Sequence, residues 1–237
     1  MLARRRVPRQ GELPLKRWGG SRPGAGRKPT SRRALVPHRA RAPVTRHTPV
    51  HVTLRLERRL GNLRRKWIAR AMRPAFAGGR ERFGFRLVHF SVQKDHVHLV
   101  AEAPSAQALG RGLKGFGVRL ARRLNAALGH RGRVLADRYH ARVLRTPREV
   151  RAAVVYVLQN ARHHVRPGDG GVPWPDPYSS GRYFDGWRGG DCAQGGAAGP
   201  APPDEAEDRP VVEPRCFLLA VAWRRLGLIR RDEAPRS

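Results

Sequence analysis

The chain has few cysteines, few acids and few lysines. Cys192 and Cys216 are its only two cysteines. Two cannot make a disulfide framework, and neither sits at a zinc-type spacing, so both read as incidental thiols in a reducing compartment. No apolar run approaches the roughly 18–20 residues of a membrane span, which excludes a helical membrane protein as the expectation. The opening MLARRRVPRQ has the charge of a secretion signal but is followed by no apolar segment. A cytoplasmic location is therefore expected. Acids number 18 against 49 Lys and Arg, of which only Lys16, Lys28, Lys66, Lys94 and Lys114 are lysine, and the net charge is +31 over 237 residues. Such an excess opposes compaction unless a polyanion neutralises it. Nucleic acid is the natural partner, held through phosphate contacts and counterion release.

The length allows one domain of about 100–150 residues with extensions. Residues 1–48 hold fourteen Lys/Arg and one acid, Glu12, with frequent Gly and Pro and no apolar periodicity. They read as a basic flexible arm, disordered when free. Regular patterning runs through residues 49–165. VHVTLRL alternates as a strand, and Leu60 to about Ala77 reads as a basic helix. RFGFRLVHFSV and HVHLVAE read as two strands joined tightly through Gln93, Lys94 and Asp95. Ser105 opens a helix with Leu109, Leu113, Phe116, Leu120 and Leu124 on its apolar side. GRVLADRYHARVLR reads as extended, and Pro147 stands at the start of a last helix, PREVRAAVVYVLQNARHH. Residues 166–237 form a loop-rich C-terminal extension ending in a short helix, CFLLAVAWRRLGLI. The order β-α-β-β-α-β-α predicts an α+β fold, a ferredoxin-like split βαβ core with an antiparallel sheet and an added helix. That plan alone does not assign an activity.

His96-Val97-His98 is the sharpest chemical feature. Residues two apart on a strand share a face, so both imidazoles project together and Val97 points the other way. Such a pair suits a divalent cation with a third ligand from another element. It equally suits two polar residues on a solvated sheet face. Tyr156 and Asn160 lie four apart on the last helix and share its face, although Tyr156 in AVVYVLQN also reads as a core tyrosine. Taken together, the four residues describe a metal on His96, His98 and the Asn160 amide oxygen beside a nucleophilic Tyr156 hydroxyl. A free phenol has a pKa of about 10, so its attack on phosphorus needs activation. The product is a covalent 5′-phosphotyrosine and a free 3′-hydroxyl, a step that can reverse onto another strand.

The segments HVHLV, GRVLADRYHARVL and YVLQNARHH, in this order and spacing, resemble the single-tyrosine HUH transposases, and among them the REP-associated tyrosine transposases. The resemblance covers roughly Val50 to Val165. It implies the ferredoxin-like core, a need for Mg²⁺ or Mn²⁺, and action as a homodimer on single-stranded DNA bearing hairpins. It implies that His96 and His98 are metal ligands, Tyr156 the nucleophile and Asn160 the third, helix-borne ligand. The family's Asn-Pro pair is here Asn160-Ala161, which lets the helix continue through His163 and His164 and leaves Gln159 as an alternative amide ligand. His51 and His89 either reach the site or simply pack. Tyr139 reads as structural or DNA-contacting.

In the arm, GGSRPGAGRKP offers Arg22, Arg27 and Lys28 to a minor groove or hairpin stem, or to phosphates without specificity. On the second helix Lys114 stands among arginines able to track a DNA backbone. Trp174, Tyr178, Tyr183, Phe184 and Trp187 either stack unpaired bases or pack the extension onto the core. The main rivals are a catalytically inactive hairpin-binding relic and an RNA-binding ferredoxin-like module, whose strand aromatics RFGFRLVHF faintly suggest. A two-histidine phosphoesterase would need a second His-x-Thr-type repeat, which the sequence lacks.

Overall fold

The computed structural model describes residues 42–164, 173–189 and 209–235. Strand β1 (Val50–Arg55) is followed by helix α1 (Lys66–Gly79), a two-residue strand β2 (Glu81–Arg82), β3 (Phe85–Val92), β4 (His96–Glu102), helix α2 (Ala106–Leu128), β5 (His140–Val143) and helix α3 (Pro147–Gln159). The sheet order is β2-β3-β4-β1-β5 and every pairing is antiparallel. This is the ferredoxin-like arrangement expected from the sequence, with β2 as an edge extension.

Local chemistry sets the helix limits. Ser105 caps α2, its hydroxyl accepting from Ala108 N at 3.1 Å, and Gly129 ends the helix in the left-handed region. Thr146 and Glu149 form a reciprocal capping box on α3, with Pro147 in the first turn where no N–H is missed. Helix α1 starts later than the periodicity predicts. A 3₁₀ turn over Arg58–Leu60 is closed by Gly61 at φ 76°, and the chain turns again at Asn62, whose side chain accepts from Arg64 N at 3.0 Å. The extended reading of GRVLADRYHARVLR narrows to the four residues of β5.

Both faces of the sheet are covered, which is why all eight residues of β3 are buried. One face carries Val50, Val52, Leu54, Val97 and Leu99 against the apolar sides of α1 and α2. Close approach there depends on Gly112, where a Cβ would lie 2.1 Å from that of Phe85. On the other face, Val88 and Val100 meet α3 together with Phe184, Trp187, Leu219, Trp223 and Ile229 of the C-terminal segment. Glu102, on β4, fixes that segment: its buried carboxylate accepts from the backbone N–H groups of Arg215 at 2.9 Å and Cys216 at 2.8 Å, and from Arg86 Nε at 3.3 Å. The expected short C-terminal helix is a single turn, Phe217–Ala220, followed by a 3₁₀ turn, Ala222–Leu226. Phe184 and Trp187 are core residues, and Tyr178 and Tyr183 pack partly against the first core. No described helix is long and apolar enough to cross a membrane.

Candidate active site

The strand alternation that sends Val97 and Leu99 to the α1/α2 core sends His96 and His98 to the face covered by α3. Their rings lie 4.7 Å apart, centroid to centroid, and nearly perpendicular. Helix α3 is anchored over this face by buried Val150, Val154, Val155, Val157 and Leu158. Its half-buried Tyr156 sets its ring 5.0 Å from that of His98. Two features that lie sixty residues apart in sequence thus meet through one helix–sheet contact.

The strand register adds partners that no local pattern reveals. Thr53 on β1 pairs with His98, and His51 lies two residues earlier on the same face. His98 Nδ1 is 3.2 Å from His51 Nε2 and 3.2 Å from Thr53 Oγ1. The His51 ring also lies 5.7 Å from that of Tyr156. Burial, aided by the His140 and Arg142 charges, pushes the His51 pKa down to about 4, so its ring is neutral at physiological pH. His96 Nδ1–H donates to Asp95 Oδ1 at 2.7 Å. Burial raises the Asp95 pKa, but the hydrogen bond and charge of His96, with Arg55 and Arg58, outweigh it and leave the carboxyl below its ordinary value. A carboxylate on Nδ1 fixes a ring's tautomer and directs Nε2 outward as a ligand atom.

The two candidate amides differ in their surroundings. Helix α3 ends at Gln159 and a 3₁₀ turn runs from Asn160 to His164, so the α-helix does not continue through the histidines. Gln159 Nε2 donates to the Arg230 carbonyl at 2.9 Å, and its oxygen accepts from Arg162 at 3.2 Å. That side chain is engaged by the C-terminal segment. Asn160, one turn on from Tyr156, is buried, and its Oδ1 has no hydrogen-bond partner among the described residues. An orphaned buried carbonyl oxygen costs about 1–3 kcal/mol, and a cation is a natural complement. The donor set of two imidazoles and an amide oxygen fits a divalent ion. Among the described residues there is no group of three His, Cys, Asp or Glu side chains able to hold one.

Other expectations fall elsewhere. His89 lies under the C-terminal segment, its ring 5.2 Å from that of Phe184, and burial is the main reason its pKa falls to about 3. Tyr139 packs against the first core. Lys114 is exposed on α2, the helix covering the opposite face of the sheet from His96 and His98. Arg22, Arg27 and Lys28 lie outside the described residues. Of the aromatics in RFGFRLVHF that suggest an RNA-binding sheet, Phe85 and Phe90 are buried under α1 and α2, whereas Phe83 is exposed. Sequence reasoning gave His51 no firm place and missed Thr53 and Asp95. The alternation of β1 was the available signal for the first two, but it carries no pairing register.

A family model described as "Transposase IS200 like" matches residues 45–157, the span that holds His51, Thr53, Asp95, His96, His98 and Tyr156. Among solved structures the chain is similar to a REP-associated tyrosine transposase bound to a REP hairpin: 16% identity, 67% of this chain and 87% of that one covered, TM-score 0.48. It is also similar to a candidate transposase from Deinococcus radiodurans: 19% identity, 50% of this chain and 92% of that one covered, TM-score 0.35. No curated protein matches the sequence.

Proposed function

We propose, for a chain whose residues 45–157 belong to the IS200-like transposase family, that it cleaves and rejoins single-stranded, hairpin-bearing DNA through Tyr156. The observation that carries the reading is the approach of the Tyr156 ring to within 5.0 Å of His98, on the sheet face that also bears His96. In the step proposed, Tyr156 Oη gives up its proton and forms a bond to phosphorus. The bond from phosphorus to the 3′-oxygen breaks, and that oxygen takes a proton. The downstream strand is left on Tyr156 as a 5′-phosphotyrosine and the upstream strand carries a free 3′-hydroxyl. A second 3′-hydroxyl attacking the same phosphorus regenerates the tyrosine and joins the strands, with no outside energy source.

His96, His98 and Asn160 would hold Mg²⁺ or Mn²⁺, which supplies Lewis-acid polarisation of the phosphate. Asp95 orients His96, while Thr53 and His51 hold His98 from its other side. Val150, Val154 and Val157 keep α3 seated so that Tyr156 stays at the strand pair. The large positive charge gathers the polyanionic substrate. The acting form in this reading is a homodimer.

Labelled hairpin DNA incubated with the full chain and Mn²⁺ tests the reading through adducts on a denaturing gel. A metal-dependent adduct lost in Tyr156→Phe supports it. Tight hairpin binding with no adduct under any divalent metal refutes the cleavage and leaves a binding protein.

A further inference from the structure

Away from the histidines, a groove of about 480 Å³ opens between α1 and the segment 177–183. The volume suits a nucleotide-sized ligand. Its rim carries Lys66, Arg70 and Arg73 from α1, and among the described residues no acidic side chain lines it. Its walls include the aromatic rings of Phe90, Tyr178 and Tyr183. A basic rim over aromatic walls is the combination that holds a phosphate backbone and stacks a base.

Tyr178 is held in place before any ligand arrives. Arg64 makes a two-pronged ion pair with Asp176, both contacts at 2.9 Å, and donates to the Val92 carbonyl at 2.9 Å. The same guanidinium lies 4.4 Å from the Tyr178 ring centroid. Val92 N donates to the Tyr178 carbonyl at 2.8 Å, and Tyr178 N donates to Asp176 Oδ1 at 3.1 Å. The ring is thus fixed by a cation on one side while it lines the groove. Preorganisation of this kind removes the cost of ordering the side chain on binding.

The groove also lies near the site. Val92, one of its lining residues, pairs with Val97, the residue between the two histidines. Groove and histidine pair therefore share one end of the sheet on opposite faces, joined around the β3–β4 turn at residues 93–95.

We propose that this groove receives one unpaired base of single-stranded DNA, stacked on Tyr178, with the flanking phosphates on Lys66 and Arg70. The inference rests on the single-stranded DNA reading above and adds a binding subsite outside the reacting centre.

The test uses the full chain carrying Tyr156→Phe, so that binding is measured without covalent capture. The probes are a fluorescent oligothymidylate of about ten nucleotides and its abasic counterpart. The parent prefers the oligothymidylate. Tyr178→Ala weakens oligothymidylate binding about tenfold and leaves abasic binding unchanged, while Tyr178→Phe stays within about twofold of the parent. Lys66→Ala with Arg70→Ala, both exposed positions, lowers the slope of log affinity against log salt by about 1.4 for both probes. Equal affinity for the two probes in the parent, or a base preference that survives Tyr178→Ala, overturns the proposal. So does an unchanged salt slope in the α1 double variant, which holds even if Tyr178→Ala unfolds. Adduct formation by the wild-type chain is scored separately. Base binding without adducts upholds the groove and sinks the cleavage, and adducts without base preference do the reverse.

Discussion

Along β4, Val97, Leu99 and Ala101 meet α1 and α2, whereas His96, His98 and Val100 alternate to the opposite face, where His98 meets Tyr156 of α3 and Val100 joins the cluster built with the C-terminal segment. One strand therefore serves two interiors of different character. The first is a continuous apolar core, filled by Phe76, Phe85 and Phe116 with close helix–sheet contact. The second is apolar only in part. Beside Trp187 and Trp223 it buries His89, His98, Gln159 and Asn160. A folded chain accepts buried polar groups when they are paired or when function needs them. In the proposed reading, stability rests chiefly on the first face and chemistry on the second.

The comparison breaks most visibly at neighbouring residues. Leu99→Ala is expected to cost about 2–5 kcal/mol, read from the denaturant midpoint, because it opens a cavity in a packed core. His98→Ala, one residue away, is expected to cost clearly less stability while reducing DNA adducts to background. Equal destabilisation by the two changes would show that the faces are not divided as described.

Next in size is the hold on the metal. Asp95→Asn is expected to weaken Mn²⁺ affinity by about 10–100-fold, through loss of the carboxylate that orients His96. Titration calorimetry on the full chain reads this without DNA. An unchanged affinity would remove Asp95 from the account.

The second face also predicts an acid limb. His89 titrates near 6.5 when unfolded and about 3 when folded, mainly through burial, with Asp185 opposing and Arg209 and Arg224 reinforcing the shift. Between those values the unfolded chain holds the extra proton. Stability therefore falls as pH drops below about 6.5, by up to about 1.4 kcal/mol per unit from this group, and its share stops changing below about 3. His89→Leu is expected to flatten the pH dependence of the unfolding midpoint. A limb unaltered by that change would place the proton uptake elsewhere.

The smallest effect separates the two amides. Gln159→Ala loses its hydrogen bond to the Arg230 carbonyl, costs about 1 kcal/mol and leaves adduct formation intact. Asn160→Ala is expected to remove metal-dependent adducts with little loss of stability. Reversed phenotypes would make Gln159 the ligand.

The histidine pair and the tyrosine were legible because each follows from a local period, two along a strand and four along a helix. Their meeting follows from neither period and was read by combining the two features and from the resemblance. His51 and Thr53 join His98 through the β1–β4 register, which no single strand encodes. The late start of α1 depends on Gly61 and Asn62, whose turn overrides a helical apolar pattern. In the C-terminal segment the expected helix CFLLAVAWRRLGLI shortens to two single turns, and Trp187, Trp223 and Ile229 complete the second interior through contacts that no local pattern encodes.

The central claim is that Tyr156 forms the bond to DNA. The most direct measurement is to trap the adduct with wild-type protein and Mn²⁺, digest the DNA and the protein, and locate the phosphonucleotide-bearing peptide by mass spectrometry. The account predicts the modification on Tyr156, within the segment AVVYVLQN. Its appearance on Tyr139 or any other residue, with Tyr156 unmodified, would contradict it.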